Sequence, residues 1–213
     1  MTSRTYGQYC GFSRALELVG ERWALLIIRD LLVGPKRYSD LHRGLPNIPT
    51  NILSDRLKEL EEAGIVQRRL LPRPSGAVVY ELTKAGRQLE QPVISLGRWG
   101  AQRLGDPRPG EIVTEDSMAM ALLTTFRSKA AAHIRASYEL HLGDVVINAQ
   151  VRDGAVTVGR GPLPKPDLII EAGPQLRAVM AREITPDEAL KKKIVRLRGD
   201  RKLFGQFAQM FQI

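Results

Sequence analysis

The sequence predicts an α+β protein in two domains, the first of helices around one β-hairpin, the second of helices and a single antiparallel sheet. Three observations predict it. Apolar residues recur at helical spacing through most of residues 12–63 and again after residue 83, with two short alternating runs between them. After residue 115, one apolar helical stretch is followed by several short strand-like runs broken by glycine and proline. Between the two regions, Gly105-Asp106-Pro107-Arg108-Pro109-Gly110 places two prolines and two glycines in six residues, which no helix continues through. The expected boundaries are a first domain at 1–104, a linker at 105–114 and a second domain at 115–213.

A chain of 213 residues with 43% apolar content buries a core, and its composition is not that of a disordered protein. One cysteine excludes a disulfide framework within the chain and fits a reducing compartment. Residues 1–8 lack the apolar core of a leader, and the longest apolar runs, 23–28 and 118–123, are six residues each, against the roughly 20 a membrane span needs. The expectation is a soluble, cytoplasmic protein. The formal charge is +9. Residues 1–108 carry 17 basic and 11 acidic side chains, and residues 109–213 carry 15 and 12, so the excess is concentrated in the first half. A basic balance without a membrane segment raises nucleic acid as a partner.

In the first half, residues 12–19 form a short helix, and residues 22–33 are apolar over most of a helix surface, the mark of a central core helix. Gly34-Pro35 ends it, and Ser39 is placed to cap a short helix at 40–44. The next helix, 50–63, turns Leu53, Leu57 and Leu60 inward and Asn51, Ser54 and Lys58 to another face, with Gly64 just past its end. Residues 65–71 and 77–82 are strands joined by the turn Pro72-Arg73-Pro74-Ser75-Gly76. Thr83 can cap a following helix that carries Leu89, Val93, Leu96 and Leu104, with Trp99 beside them.

Helices, a hairpin and a further helix make a winged helix-turn-helix plan. A helix with a small, polar N-terminal end fits a major groove about 12 Å wide. Thr50, Asn51 and Ser54 are then candidates for base edges, and Arg56 and Lys58 for phosphates. Arg68, Arg69, Arg73 and Ser75 of the hairpin are candidates for the backbone or the neighbouring minor groove. Helix-hairpin-helix orders also serve protein-interaction domains, and pattern alone leaves that alternative open.

Four runs carry a resemblance: CGFSRALELVGERW at 10–23, GPKRYSDL at 34–41, LSDRLKELEEAGIV at 53–66 and LTKAG at 82–86. In order and spacing they resemble HxlR-type regulators, relatives of the MarR group, over roughly residues 8–105. The resemblance implies a dimeric winged-helix transcription factor on a palindromic site, with Thr50 to Lys58 in its recognition helix.

In the second half, a helix is expected from Glu115 to about Tyr138, with Met118, Leu122, Leu123 and Phe126 on its apolar face. Strands follow at 137–141, 144–152, 155–161 and 166–172, with an Asp153-Gly154 hairpin turn. Helices at 174–181 and 185–190, a strand at 194–199 and an apolar terminal helix at 200–211 complete it. The segments DLIIE at 167–171, LRAVMA at 176–181, ITPDEAL at 184–190 and VRLRGD at 195–200 resemble the sterol carrier protein lipid-binding fold. That implies an apolar effector in a tunnel lined by Met118, Leu122, Phe126, Leu203, Phe207 and Met210. Lys191-Lys192-Lys193 departs from that pattern, and a dimerisation or scaffolding module without a ligand stays open.

Cys10 stands just ahead of the first helix, where a thiolate is favoured, and some HxlR-type proteins sense oxidants or electrophiles from the matching position. A small buried side chain is the alternative. His42, His133 and His141 have no metal-pair spacing, and neither HExxH nor CxxC occurs. With no GxSxG, Walker loop or GxGxxG, neither a cofactor nor an enzymatic activity is expected.

Overall fold

A computed structural model describes residues 5–105 and 107–213; residues 1–4 of the amino-terminal stretch and Asp106 of the expected linker lie outside the described residues. The chain divides into two compact units, residues 1–93 and 94–213.

The first unit runs α1 (Gly11–Val19), α2 (Ala24–Val33), α3 (Tyr38–Gly44), α4 (Thr50–Glu62), β1 (Val66–Leu70), β2 (Val78–Leu82) and α5 (Lys84–Arg87), and reaches the first turn of α6 (Glu90–Ala101). Ile27, Ile28 and Leu31 of α2 are completely buried, as its nearly all-apolar surface requires. Leu41 of α3 and Leu53, Leu57 and Leu60 of α4 pack on them. Burial of each such leucine contributes about 1.5–3 kcal/mol. β1 and β2 pair antiparallel from Val66–Leu82 to Leu70–Val78.

Two elements of this unit differ from expectation. Ser39 lies inside α3, whose N-cap is Arg37, and the Arg37 amide donates to Asp40 Oδ2 at 3.2 Å. The single helix expected after Thr83 is two. Thr83 does cap α5, its Oγ1 accepting from the Gly86 amide at 3.1 Å. The chain then breaks, because Pro92 lacks the amide that a continuous helix would need and fits only the first turn of α6. α6 ends at Ala101, short of Leu104, and no helix or strand occupies the described residues of 102–114.

The second unit continues from α6 with α7 (Glu115–Thr125), a 3₁₀ turn (Ser128–Ala131), β3 (Arg135–Leu142), β4 (Val145–Arg152), β5 (Ala155–Arg160), β6 (Leu168–Ala172), α8 (Leu176–Met180), α9 (Pro186–Lys191), β7 (Val195–Gly199) and α10 (Lys202–Met210). Here α7 is half the expected length. At Phe126 the backbone becomes extended and bridges Phe211, and the Arg127 amide donates to the Met210 carbonyl at 2.7 Å. The alanine-rich continuation forms the 3₁₀ turn and the start of β3 instead. The sheet is also not wholly antiparallel. Its order is β5-β4-β3-β6-β7, and β6 pairs parallel with β3. Of the two open edges of the β3-β4-β5 meander, β6 takes that of β3, and the crossover at 161–167 brings it in parallel to β3.

One face of this sheet presents Tyr138, Leu140, Ile147, Ala149, Leu168 and Ile170, all fully buried with Leu122 of α7 and Phe207 and Met210 of α10. Thr185 caps α9 as expected, its hydroxyl accepting from the Glu188 amide while the Thr185 amide donates to the Glu188 carboxylate. No helix among the described residues is long and apolar enough to cross a membrane.

Candidate nucleic-acid interface

The candidate interface is built on α4. Its leucines face the core at spacings of four and three, so the remaining sides of the helix are left for solvent. Thr50, Asn51, Ser54, Asp55 and Lys58 are exposed there. The N-cap is Pro49, which makes no side-chain hydrogen bond to the first turn. The first-turn amides therefore point outward uncapped, beside short polar side chains, at the positive end of the helix dipole.

Tyr38 of α3 fixes this end. Its hydroxyl donates to the Thr50 carbonyl at 2.8 Å and lies 3.2 Å from Ser54 Oγ. With that phenolic proton committed to Thr50, Ser54 donates to the phenol oxygen. The Tyr38 ring stacks on His42 at 6.5 Å between centroids. Helical periodicity carries no sign of this contact, because it depends on how α3 crosses α4.

The two basic residues expected at phosphates on α4 behave differently. Lys58 is exposed and only loosely drawn to Glu62, at 3.9 Å. Arg56 is buried, 9% exposed, and its guanidinium is ion-paired to Glu59 and, at 3.5 Å, to Glu21. It lies on the inward side of the helix, between Leu53 and Leu57. In this structure it ties α4 to the chain ahead of α2 and does not stand among the exposed polar side chains of the helix.

The hairpin presents its cations outward. Arg68 and Arg69 alternate across β1 and are exposed, Arg68 meeting Glu61 at 3.0 Å and Arg69 meeting Glu81 at 2.8 Å. Glu81 also accepts from Gln67 Nε2 at 3.0 Å, and these two hydrogen bonds hold its carboxyl below the ordinary range. Arg73 and Ser75 are exposed in the turn, and Ser75 Oγ accepts from Arg37 Nη2 at 3.2 Å. Arg37, to which no sequence pattern pointed, thus joins the start of α3 to the tip of the wing. Thr50 and Ser54 are brought together on Tyr38, and Ser75 is held by the neighbouring Arg37, whereas Arg56 takes part in neither contact.

Cys10 is exposed at the N-cap of α1. The nearby backbone amides of Ser13 and Phe12, at the start of α1, hold its thiol below the ordinary value. The buried-hydrophobe alternative does not describe it. The six residues expected along a tunnel sit together in one apolar cluster of the second unit. Met118, Leu122, Phe207 and Met210 are buried, and Phe126 and Leu203 pack against them. The Phe207 ring lies 5.6 Å from that of Tyr138 and 4.7 Å from that of Phe211.

A family model described as HxlR-like helix-turn-helix matches residues 18–107. The HTH-type transcriptional regulator YodB of Bacillus subtilis is 38% identical over 102 residues, which cover 48% of this chain and 88% of that protein. The uncharacterized HTH-type transcriptional regulator YvaP of the same organism is 35% identical over 91 residues, covering 43% of this chain and 84% of that protein. Among solved structures, the reduced form of YodB is 36% identical, covers 49% of this chain and 100% of its own, and superposes with a TM-score of 0.40. Residues 108–213 lie outside the family match.

Proposed function

Because this chain belongs to the HxlR-like helix-turn-helix family, we propose that it is a transcriptional regulator whose residues 1–104 bind duplex DNA as a homodimer. The observation that carries the reading is the N-terminal end of α4, uncapped, exposed and lined by Thr50, Asn51 and Ser54, with Tyr38 bracing it from behind. The α4 end enters the major groove, where Asn51 suits the bidentate edge of adenine and Ser54 serves either base. Lys58 and the wing cations Arg68, Arg69 and Arg73 meet phosphates. Two copies related by a twofold axis place their α4 helices about 34 Å apart, on successive turns of a palindromic site.

A titration of the full chain with duplexes from its own upstream intergenic region tests this. Asn51→Ala lowers affinity for the preferred duplex by about 1–3 kcal/mol and relaxes the choice of base at one position per half-site. Arg73→Ala weakens all duplexes alike and makes the salt dependence shallower by about one unit. Unaltered binding by both variants would sink the assignment.

A second reading concerns control, and the exposed, acidified thiol of Cys10 favours it. In this reading Cys10 is the point at which an oxidant or electrophile acts on DNA binding. With one cysteine per chain, any disulfide joins two chains or forms with a small thiol.

A further inference from the structure

The second unit holds a strongly basic strip that the DNA-binding reading of the first unit leaves unused. Lys191, Lys192, Lys193, Arg196, Arg198, Arg201 and Lys202 are all exposed. They fall within twelve residues that contain one acid, Asp200, so the strip carries +6. The rest of residues 109–213 carries −3, so the positive balance of this half lies entirely in the strip. Elsewhere in the unit, three arginines pair with acids: Arg135 with Asp153 at 2.6 Å, Arg160 with Asp116, and Arg177 with Glu183 at 2.7 Å. In the strip, Arg198 meets Glu171 at 2.6 Å, and Asp200 spends one carboxylate oxygen on the Lys202 amide.

The fold presents these cations together. β7 is an edge strand, and Val195 and Leu197 turn into the core, so Arg196 and Arg198 project side by side from the opposite face. Lys193 supplies the turn into β7. There α9 ends with the Ile194 amide bonded to the Ala189 carbonyl and Lys193 in left-handed backbone, φ 56°. That helix ending favours glycine, and a lysine there is strained.

We propose that this strip is a second DNA contact, one that binds the phosphate backbone of duplex DNA without reading sequence. It rests on the DNA-binding reading of the first unit and extends it to the second. Duplex fits better than single strands, because residues 191–202 contain no aromatic side chain on which a base can stack. It fits better than a membrane surface, because Ile194 and Leu197 pack inward and leave no apolar anchor beside the charges.

The test is anisotropy titration of the full chain with a short random-sequence duplex across a salt series. The comparison is between wild type and K191Q/K192Q/K193Q/R196Q, each checked by thermal melting. The slope of log affinity against log salt should fall by about 0.9 for every phosphate that is no longer neutralised, about two to four phosphates in this variant, with affinity at low salt down about tenfold or more. K191R/K192R/K193R should keep the wild-type slope. Lys193→Gly should raise the melting temperature while lowering the slope, a combination that a merely structural turn would not produce. Superimposable salt lines for wild type and the glutamine variant overturn the inference. So does weaker binding of that variant to phosphatidylserine vesicles without change on DNA. Asn51→Ala keeps the two readings apart: operator preference that depends on Asn51, together with an unchanged slope in the glutamine variant, sinks the strip alone. Absence of any duplex binding by wild type sinks both.

Discussion

Single side chains in this protein take their roles from which way a helix turns them. Arg56 and Lys58 are two positions apart on α4, yet one is an internal tether to Glu59 and Glu21 and the other a solvent-facing cation. Cys10 is the residue whose chemistry is most open to measurement. A thiol acidified by the Ser13 and Phe12 amides keeps more thiolate near neutrality than an ordinary cysteine. Because the shift is downward, alkylation of Cys10 should rise with pH and level off at a midpoint below the usual value of about 8.5. A rate profile with iodoacetamide checks this, with Cys10→Ser as the blank. A midpoint at or above the ordinary value would remove the basis for Cys10 as a sensor.

Among the elements, the approach of α5 to the hairpin is the tightest. Gly86 weakens α5 by propensity alone, and a surface Gly→Ala change in a helix is ordinarily worth about 1 kcal/mol of added stability. Here the sign reverses. A Cβ on Gly86 would stand 2.1 Å from the Ile65 carbonyl oxygen, backbone that is held in turn by the Thr83 amide at 3.0 Å. Gly86→Ala should therefore lose about 2 kcal/mol or more, read as a lower denaturant midpoint with unchanged slope. A stabilised variant would show that α5 moves away at little cost. Pro92 belongs to the same scale, since it sets where α5 stops and α6 begins.

Across the whole molecule, the strongest local excess of positive charge is the +6 of residues 191–202, whereas residues 50–82, α4 and the hairpin, carry five basic and five acidic side chains and present their cations by orientation and not by net charge. Apolar side chains also remain uncovered in a single copy. In the first unit these include Phe12, 73% exposed on α1, with Tyr6 and Tyr9 ahead of it. Large exposed aromatics of this kind mark an interface, and the proposed homodimer uses them. Phe12→Asp should convert the dimer to monomer in sedimentation velocity. It should also weaken operator binding by about a hundredfold, since the two half-sites are then bound as separate events. A wild type that sediments as a monomer, or a variant that remains dimeric, would place the interface elsewhere.

The sequence by itself determined the element order, the core leucines of α4, the exposed Asn51, Ser54 and Lys58, and the Thr83 and Thr185 caps. All of these follow from local rules: helical period, strand alternation and hydrogen bonds three residues apart. Tertiary structure decided the rest. Tyr38 reaches Ser54 across sixteen residues and Arg37 reaches Ser75 across thirty-eight, distances over which periodicity says nothing. The end of α7 at Thr125 is set by the bridge from Phe126 to Phe211, against the helical preference of the alanines that follow. The parallel pairing of β6 with β3 comes from the crossover that carries the chain from β5, at one edge of the meander, to the other edge at β3. Met118, Leu122, Phe207 and Met210 are apolar whether they line a tunnel or fill a core. Only the tertiary structure brings them together with Tyr138 and Phe211 in one buried cluster, because hydrophobicity specifies burial and not the neighbour.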